Sequence, residues 1–223
     1  MTKDLLKIGG ASGYWGDASQ ATEQLLKHDL DFIVYDYLAE ITMAILARVK
    51  AKDQSAGYAT DFILEAMVPN LSRISETSTK IISNAGGVNP TACAMLLREK
   101  IAEQGLSLKV AVIEGDNLLP NIDSIFDINP TEMFSGNEFP DKAKIGSINA
   151  YFGAQPIVKA LEKGADIVIT GRCVDSAVTL AACMYNFGWP SDDFDLLSAG
   201  SLIGHLLECG TQITGGNFTD WKS

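Results

Sequence analysis

Five segments of the chain place polar or glycine-rich residues directly after short apolar runs. The candidate ligand-binding residues in these segments are Gly10, Ser12, Gly13, Asp36, Asn84, Gly86, Glu114, Asp116, Arg172 and Ser176. Ligands of open parallel sheets bind beyond the carboxyl ends of the strands, so we expect these residues to line one cleft. Each segment taken alone also has a structural explanation, because glycines turn the chain and Asp, Asn and Ser cap helices.

Arg172 follows the apolar run 166–170 directly after Gly171 and precedes a predicted helix. A guanidinium delivered to this edge can bind a carboxylate or phosphate through two parallel hydrogen bonds. We therefore predict that Arg172 clamps an anionic group of the ligand. The alternative is an ion pair with Asp175 or Asp36 that only orders the loop.

His205 and Glu208 are three residues apart in a predicted helix at 202–210, so they share one helix face. We predict His205, Glu208 and Asp175 as catalytic residues, with the histidine acting as a general acid or base oriented by a carboxylate. The alternative is a histidine bonded to backbone. No metal site is predicted, because two histidines exclude a His-rich site, although one histidine with Asp or Glu ligands stays open.

The glycine-rich segment 9–16 (GGASGYWG) invites comparison with the dinucleotide-binding pattern G-x-G-x-x-G. Asp36 follows the second predicted strand, where that pattern places a ribose-binding acid. The spacing differs, however, and the bulky Tyr14 and Trp15 stand where the helix should begin. NAD is therefore not expected as a cofactor, whereas the exposed N–H groups could bind another anion.

Apolar runs alternate with helix-like segments along the chain. We predict strands at 5–8, 31–35, 80–83, 108–113, 148–152 and 166–170, and helices at 19–27, 39–50, 57–78 (broken at Pro69), 90–104 and 175–187. Runs that are apolar throughout are typical of strands buried on both faces of a parallel sheet. The pattern predicts a layered α/β domain, Rossmann-like, with a mainly parallel sheet and helices on both faces. A barrel-like βα repeat is the alternative.

Residues 117–147 interrupt this alternation and are rich in Asn, Pro, Asp and Gly. We interpret them as an inserted loop or lid within a single domain of residues 1–223. The net charge of −11 argues against a nucleic-acid partner. The chain shows no apolar run of about 20 residues and no signal peptide, so we expect no membrane partner and a cytoplasmic location.

Several of these segments together resemble the acyclic terpene utilisation (AtuA) family. The matching stretches, which follow the family's order, are IGGASGYWGD (8–17), DFIVYDYLAEITMAILAR (31–48), GYATDF (57–62), SNAGGVNP (83–90), VIEGDNL (112–118), TGRCVDSAVTLA (170–181), FGW (187–189) and LIGHLLECGTQITGGNF (202–218). The resemblance implies a cytoplasmic protein of the bacterial breakdown of acyclic terpenes such as citronellol and geraniol, which proceeds through CoA thioesters.

With this resemblance, the leading expectation is an enzyme that acts on a CoA-linked or free branched carboxylic acid in a lyase- or hydrolase-like reaction. The second is a non-catalytic ligand-binding or assembly module of the same pathway, and the third is a nicotinamide-dependent dehydrogenase. Family members usually continue beyond this point, so we expect an N-terminal part or a shortened member. The apolar helices at 177–185 and 202–209 predict a homo-oligomer or a C-terminal partner domain.

Overall fold

The structure is a computed structural model that describes residues 4–17 and 19–214. Five parallel strands form one sheet in the order β1-β2-β3-β5-β4. They are β1 (Ile8–Ser12), β2 (Phe32–Tyr35), β3 (Lys80–Ser83), β4 (Val110–Ile113) and β5 (Ile167–Thr170). The predicted parallel α/β fold is confirmed, and the barrel alternative is excluded because β1 and β4 are the edges of an open sheet.

The helices alternate with these strands. They are α1 (Ala21–Leu25), α2 (Glu40–Lys52), α3 (Leu71–Thr77), α4 (Pro90–Glu103), α5 (Ile122–Asp127), α6 (Gln155–Glu162), α7 (Ala177–Phe187) and α8 (Phe194–Leu207). A π-helix (Phe62–Met67) and a 3-10 turn (Val68–Asn70) lead into α3, so the predicted break at Pro69 is confirmed. A bilayer span takes about 20 residues, and no helix within residues 4–17 and 19–214 has the length and apolarity to cross a membrane.

Both faces of the sheet are covered by helices. Successive side chains of a strand point to opposite faces, and both sets are apolar here. Ile33 and Ile81 pack into one core with α1 to α4, whereas Val34 and Ile82 pack into a second core with α6 and α7. The predicted three-layer arrangement therefore follows from strands whose central residues are apolar on both faces.

The first strand differs from its prediction. It covers Ile8–Ser12 rather than residues 5–8, so it contains the two glycines that were expected to end it. A Cβ added to Gly9 would lie 2.8 Å from a methyl group of Leu30, and one added to Gly10 would lie 2.7 Å from the carbonyl oxygen of Leu207. Glycine fits these two strand positions because neighbouring groups occupy the space that a side chain would take.

The predicted strand at 148–152 is wrong. Asn149 and Phe152 form only isolated bridges, to Asn117 and Cys173 respectively. The segment is irregular because its backbone groups bond loop residues rather than a neighbouring strand. The preceding segment 117–147 is also mostly irregular, with α5 and two 3-10 turns as its regular parts.

The strand order predicts a crevice at the carboxyl edge of the sheet. Beyond β3 the chain continues into α4 on one face, whereas beyond the adjacent β5 it continues into α7 on the other face. Where neighbouring strands send their helices to opposite faces, a crevice opens between them, and ligands of α/β proteins bind there. The Gly86 N–H donates to the Thr170 carbonyl oxygen at 3.1 Å and joins the two strand ends.

Candidate functional site

A buried carboxyl group lies beside this crevice, at the end of β2. Asn84 Nδ2 donates to Asp36 Oδ1 at 2.5 Å, and the Leu38 N–H donates to the same oxygen at 3.3 Å. Burial raises the pKa of Asp36 from 3.8 to about 7; the bond from Asn84 opposes this shift, and the negative charge of Asp175 adds to it. Asp36 can therefore both accept and donate a proton near neutral pH.

Two further carboxyl groups approach Asp36 from other segments. Asp175 belongs to the loop between β5 and α7, and Glu208 is the residue after α8. One oxygen of each of the three lies within 4.8 Å of the others. We call Asp36, Asp175 and Glu208 the carboxylate cluster. Burial and, after it, the negative charge of Asp175 raise the pKa of both Asp36 and Glu208. The same spacing would suit a divalent cation, so the absence of a metal site stays a prediction.

Arg172 is held by internal contacts and its side chain is only 3 % exposed. Its Nη1 donates to Asp175 Oδ1 at 2.5 Å and to the Cys173 carbonyl oxygen at 3.0 Å. Its Nη2 lies 3.5 Å from Glu40 Oε1, and the guanidinium carbon lies 4.1 Å from the centre of the Tyr151 ring. Burial lowers the pKa of Arg172, but the contacts with Asp175 and Tyr151 outweigh burial and raise it. The ion pair with Asp175, considered as the alternative to a ligand clamp, is present.

The predicted pair His205 and Glu208 is also brought together. His205 Nδ1 donates to Glu208 Oε1 at 2.9 Å, with the histidine 72 % exposed and the glutamate 14 % exposed. Burial raises the pKa of Glu208 and Asp175 adds to the rise, whereas His205 opposes it. His205 therefore lies on the solvent side of the carboxylate cluster and holds Glu208 in place.

Three other predicted site residues hold loops around the cluster. Asp116 is buried, accepts the Arg172 N–H at 2.8 Å and orders the loop after β5; burial raises its pKa. Ser12 Oγ donates to the Asp36 carbonyl oxygen at 3.3 Å and ties the end of β1 to that of β2. Glu114 is exposed and accepts a hydrogen bond from Thr91 in the first turn of α4.

Gly10 in β1 and Gly13 after it pack closely against the end of α8 and the residues that follow it. A Cβ on Gly10 or Gly13 would lie 2.7 Å from the Leu207 carbonyl oxygen or from Cys209 Cα, respectively. The Gly13 N–H donates to Asp17 Oδ2 at 2.8 Å. The chain after α8 therefore packs directly against the loop that follows β1.

Gly86 and Ser176 likewise lie at close approaches between elements. A Cβ on Gly86 would lie 2.5 Å from the Thr170 carbonyl oxygen, so β3 and β5 can meet there only through a glycine. Ser176 precedes α7, and its carbonyl oxygen would lie 2.6 Å from a Cβ on Gly204 of α8. These two residues therefore shape the crevice by letting its walls approach.

Two residues of the site were not predicted from the sequence. Tyr151 donates its hydroxyl to Glu40 Oε1 at 2.6 Å, and this bond is the main reason why the pKa of Glu40 is lowered. Together they flank the guanidinium of Arg172 at the solvent side. Tyr151 lies in the wrongly predicted strand, and no spacing pattern connects two residues that are 111 positions apart.

Comparison with known protein families gives a match over nearly the whole chain. A family model described as "Acyclic terpene utilisation family protein AtuA" matches residues 6–223. This range includes every segment on which the resemblance seen in the sequence depends. Searches of curated proteins and of solved structures found no match.

Proposed function

The chain belongs to the acyclic terpene utilisation family AtuA, and from that premise we propose that it is an enzyme acting on acyclic branched acids. Its substrate is a branched carboxylic acid, either free or as a CoA thioester, and the reaction is lyase- or hydrolase-like. The carboxylate cluster is the catalytic centre, and Asp36 is the group that moves the proton.

The observation that carries this proposal is the position of the buried Asp36 among the three carboxyl groups of the cluster, at the carboxyl edge of the sheet. General acid–base catalysis is most efficient when the pKa of the catalytic group lies near the working pH, and burial brings that of Asp36 to about 7. Arg172 holds Asp175 and His205 holds Glu208, so the two neighbouring carboxyl groups keep their positions. Buried carboxyl groups with strongly shifted pKa values at a crevice are a recurrent property of active sites.

The surroundings of the cluster also suit an apolar substrate. Val174 precedes Asp175 in the chain and is 44 % exposed, and Ile41 follows Glu40 and is 73 % exposed. Tyr151 covers one side of Arg172 and is itself half exposed. Binding sites for small molecules are lined mainly by apolar and aromatic groups with a few polar ones, which is the mixture found here.

The test is turnover of a panel of acyclic branched acids and their CoA thioesters, with straight-chain acids of the same length as the matched controls. Mass spectrometry of the products separates thioester hydrolysis from addition or elimination of water and from carbon–carbon cleavage. We expect Asp36→Asn to lower kcat by about 10²- to 10⁴-fold. Asp29→Asn removes an exposed carboxyl group and is expected to leave kcat unchanged.

Two outcomes would contradict this proposal. Turnover that survives Asp36→Asn would mean that the proton is moved by another group. Binding of the branched acids without conversion of any of them would favour the ligand-binding or assembly module over an enzyme.

A further inference from the structure

A groove of about 300 Å³ runs along the open edge of the sheet, between β4 and one face of α6. Pro156, Lys159, Ala160 and Lys163 line it from the helix side, at the spacing of a single helix face. On the sheet side it is lined by Lys109 and the four residues of β4. The middle of the groove is therefore apolar and its borders are lysines.

These lysines are a local exception in an acidic protein. The net charge of the chain is −11, yet Lys109, Lys159 and Lys163 form no ion pair with any residue that the structure describes. Three unpaired ammonium groups around an apolar wall attract an apolar group that carries negative charge beside it. Lysines next to an edge strand also oppose the addition of a further strand, so we expect a compact insertion rather than an extended peptide.

A surface with the complementary properties lies elsewhere on the same molecule, at the start of α8. Phe194 is 75 % exposed and is flanked by Asp192, Asp193 and Asp195. Asp193 accepts the Leu196 N–H at 3.2 Å and caps the helix. In the part of the chain that the structure describes, Asp192 and Asp195 have no cationic partner. We call residues 192–195 the acidic turn.

We propose that the groove of one copy of this chain binds the acidic turn of a second copy. Phe194 enters the apolar part of the groove, and the aspartates beside it pair with the lysines at its borders. A buried aromatic anchor surrounded by charge pairs is the usual core of a specific interface. The groove and the acidic turn are different surfaces, so the contact is head-to-tail and its repetition gives a ring or an open chain of copies.

The test is the mass of the full chain in solution by light scattering over a range of protein concentrations. We expect a mass above the 23.9 kDa of one chain that falls in 1 M NaCl, where the Debye length is about 3 Å. Lys159→Glu on the groove and Phe194→Ser on the acidic turn are each expected to weaken association at least about tenfold. The matched controls are Lys52→Glu and Phe134→Ser, which change an exposed lysine and an exposed phenylalanine elsewhere.

Mixing the two variants gives the sharpest readout. Lys159→Glu keeps an intact acidic turn and Phe194→Ser keeps an intact groove, so one contact can form between them. The mixture should therefore yield dimers of one copy of each at a protein concentration at which either variant alone is monomeric. A monomeric wild type, or a mixture that stays monomeric, would overturn the proposal. So would assembly that survives both variants but is lost in Leu206→Ser, because that result places the interface on the exposed apolar face of α8.

Discussion

Replacing Asp36 by asparagine should raise the free energy of unfolding relative to that of wild type, and this gain should be larger at high pH than at low pH. The carboxyl group of Asp36 is buried, and its pKa is raised from 3.8 to about 7. Between these two values the folded chain keeps a proton that the unfolded chain has lost, so the stability that this proton provides is complete below about pH 4 and is lost as the pH rises to about 7. Asparagine is uncharged throughout and lacks this loss.

The magnitude follows from the size of the shift. About three pKa units at 1.36 kcal/mol each give roughly 4 kcal/mol over the whole range, and about 3 kcal/mol between pH 5 and pH 8. Urea unfolding of wild type and Asp36→Asn at both pH values measures this difference. Subtracting the two variants at each pH removes the contribution of all other titrating groups. The Asn84 amide can still donate to the side-chain oxygen of an asparagine at position 36, so we expect the fold to be retained.

One result would refute this reasoning. If the free energies of unfolding of wild type and Asp36→Asn change in parallel between pH 5 and pH 8, then Asp36 ionises as an exposed aspartate does. The proposed catalytic role would then lose its physical basis. The exposed Asp29→Asn variant is the control, and its free energy of unfolding should follow that of wild type at both pH values.

Two further substitutions test the walls of the site. Arg172→Ala leaves Asp175 without its partner and is expected to lower the free energy of unfolding by about 2 kcal/mol or more. Arg172→Lys should restore part of this loss. An unchanged melting temperature in Arg172→Ala would show that the ion pair does not hold the loop. Gly13→Ala places a Cβ 2.7 Å from Cys209 Cα and should destabilise by about 1–3 kcal/mol. Its control is Gly146→Ala, where no atom lies within 4 Å of the added Cβ; equal losses in both variants would contradict the close packing.

Much of the fold could be predicted because most of its strands have consecutive apolar residues at their centres. The strand Lys80–Ser83 was predicted at its observed position for this reason. The start of α4 was predicted correctly at Pro90 because proline favours the first turn of a helix. The bounds of β1 were not predicted correctly, because this strand contains Gly9 and Gly10. The space that their side chains would take is occupied by groups of Leu30 and Leu207, which are distant in the sequence. Contacts of that kind leave no periodic pattern in a sequence.

The candidate site was also predicted only in part from the sequence. The sequence placed Asp36 and Asp175 after strands of a parallel sheet, and such residues meet at one edge whatever the details. It also placed Glu208 one helical turn from His205, but not beside Asp36, because this approach depends on how α8 packs. The ion pair of Arg172 with Asp175 needed the structure as well, and the binding of a ligand by Arg172 stays a prediction.

The carboxylate cluster and the acidic turn lie at opposite ends of α8. Glu208 of the carboxylate cluster follows the last residue of α8, and Phe194 of the acidic turn is its first. A helix of 14 residues is about 21 Å long, so the two surfaces share no side chain. Phe194→Ser should therefore weaken assembly and leave the pH dependence of stability intact, whereas Asp36→Asn should change the pH dependence of stability and leave assembly intact. A loss of both properties in either variant would mean that the cluster forms only in the assembled protein.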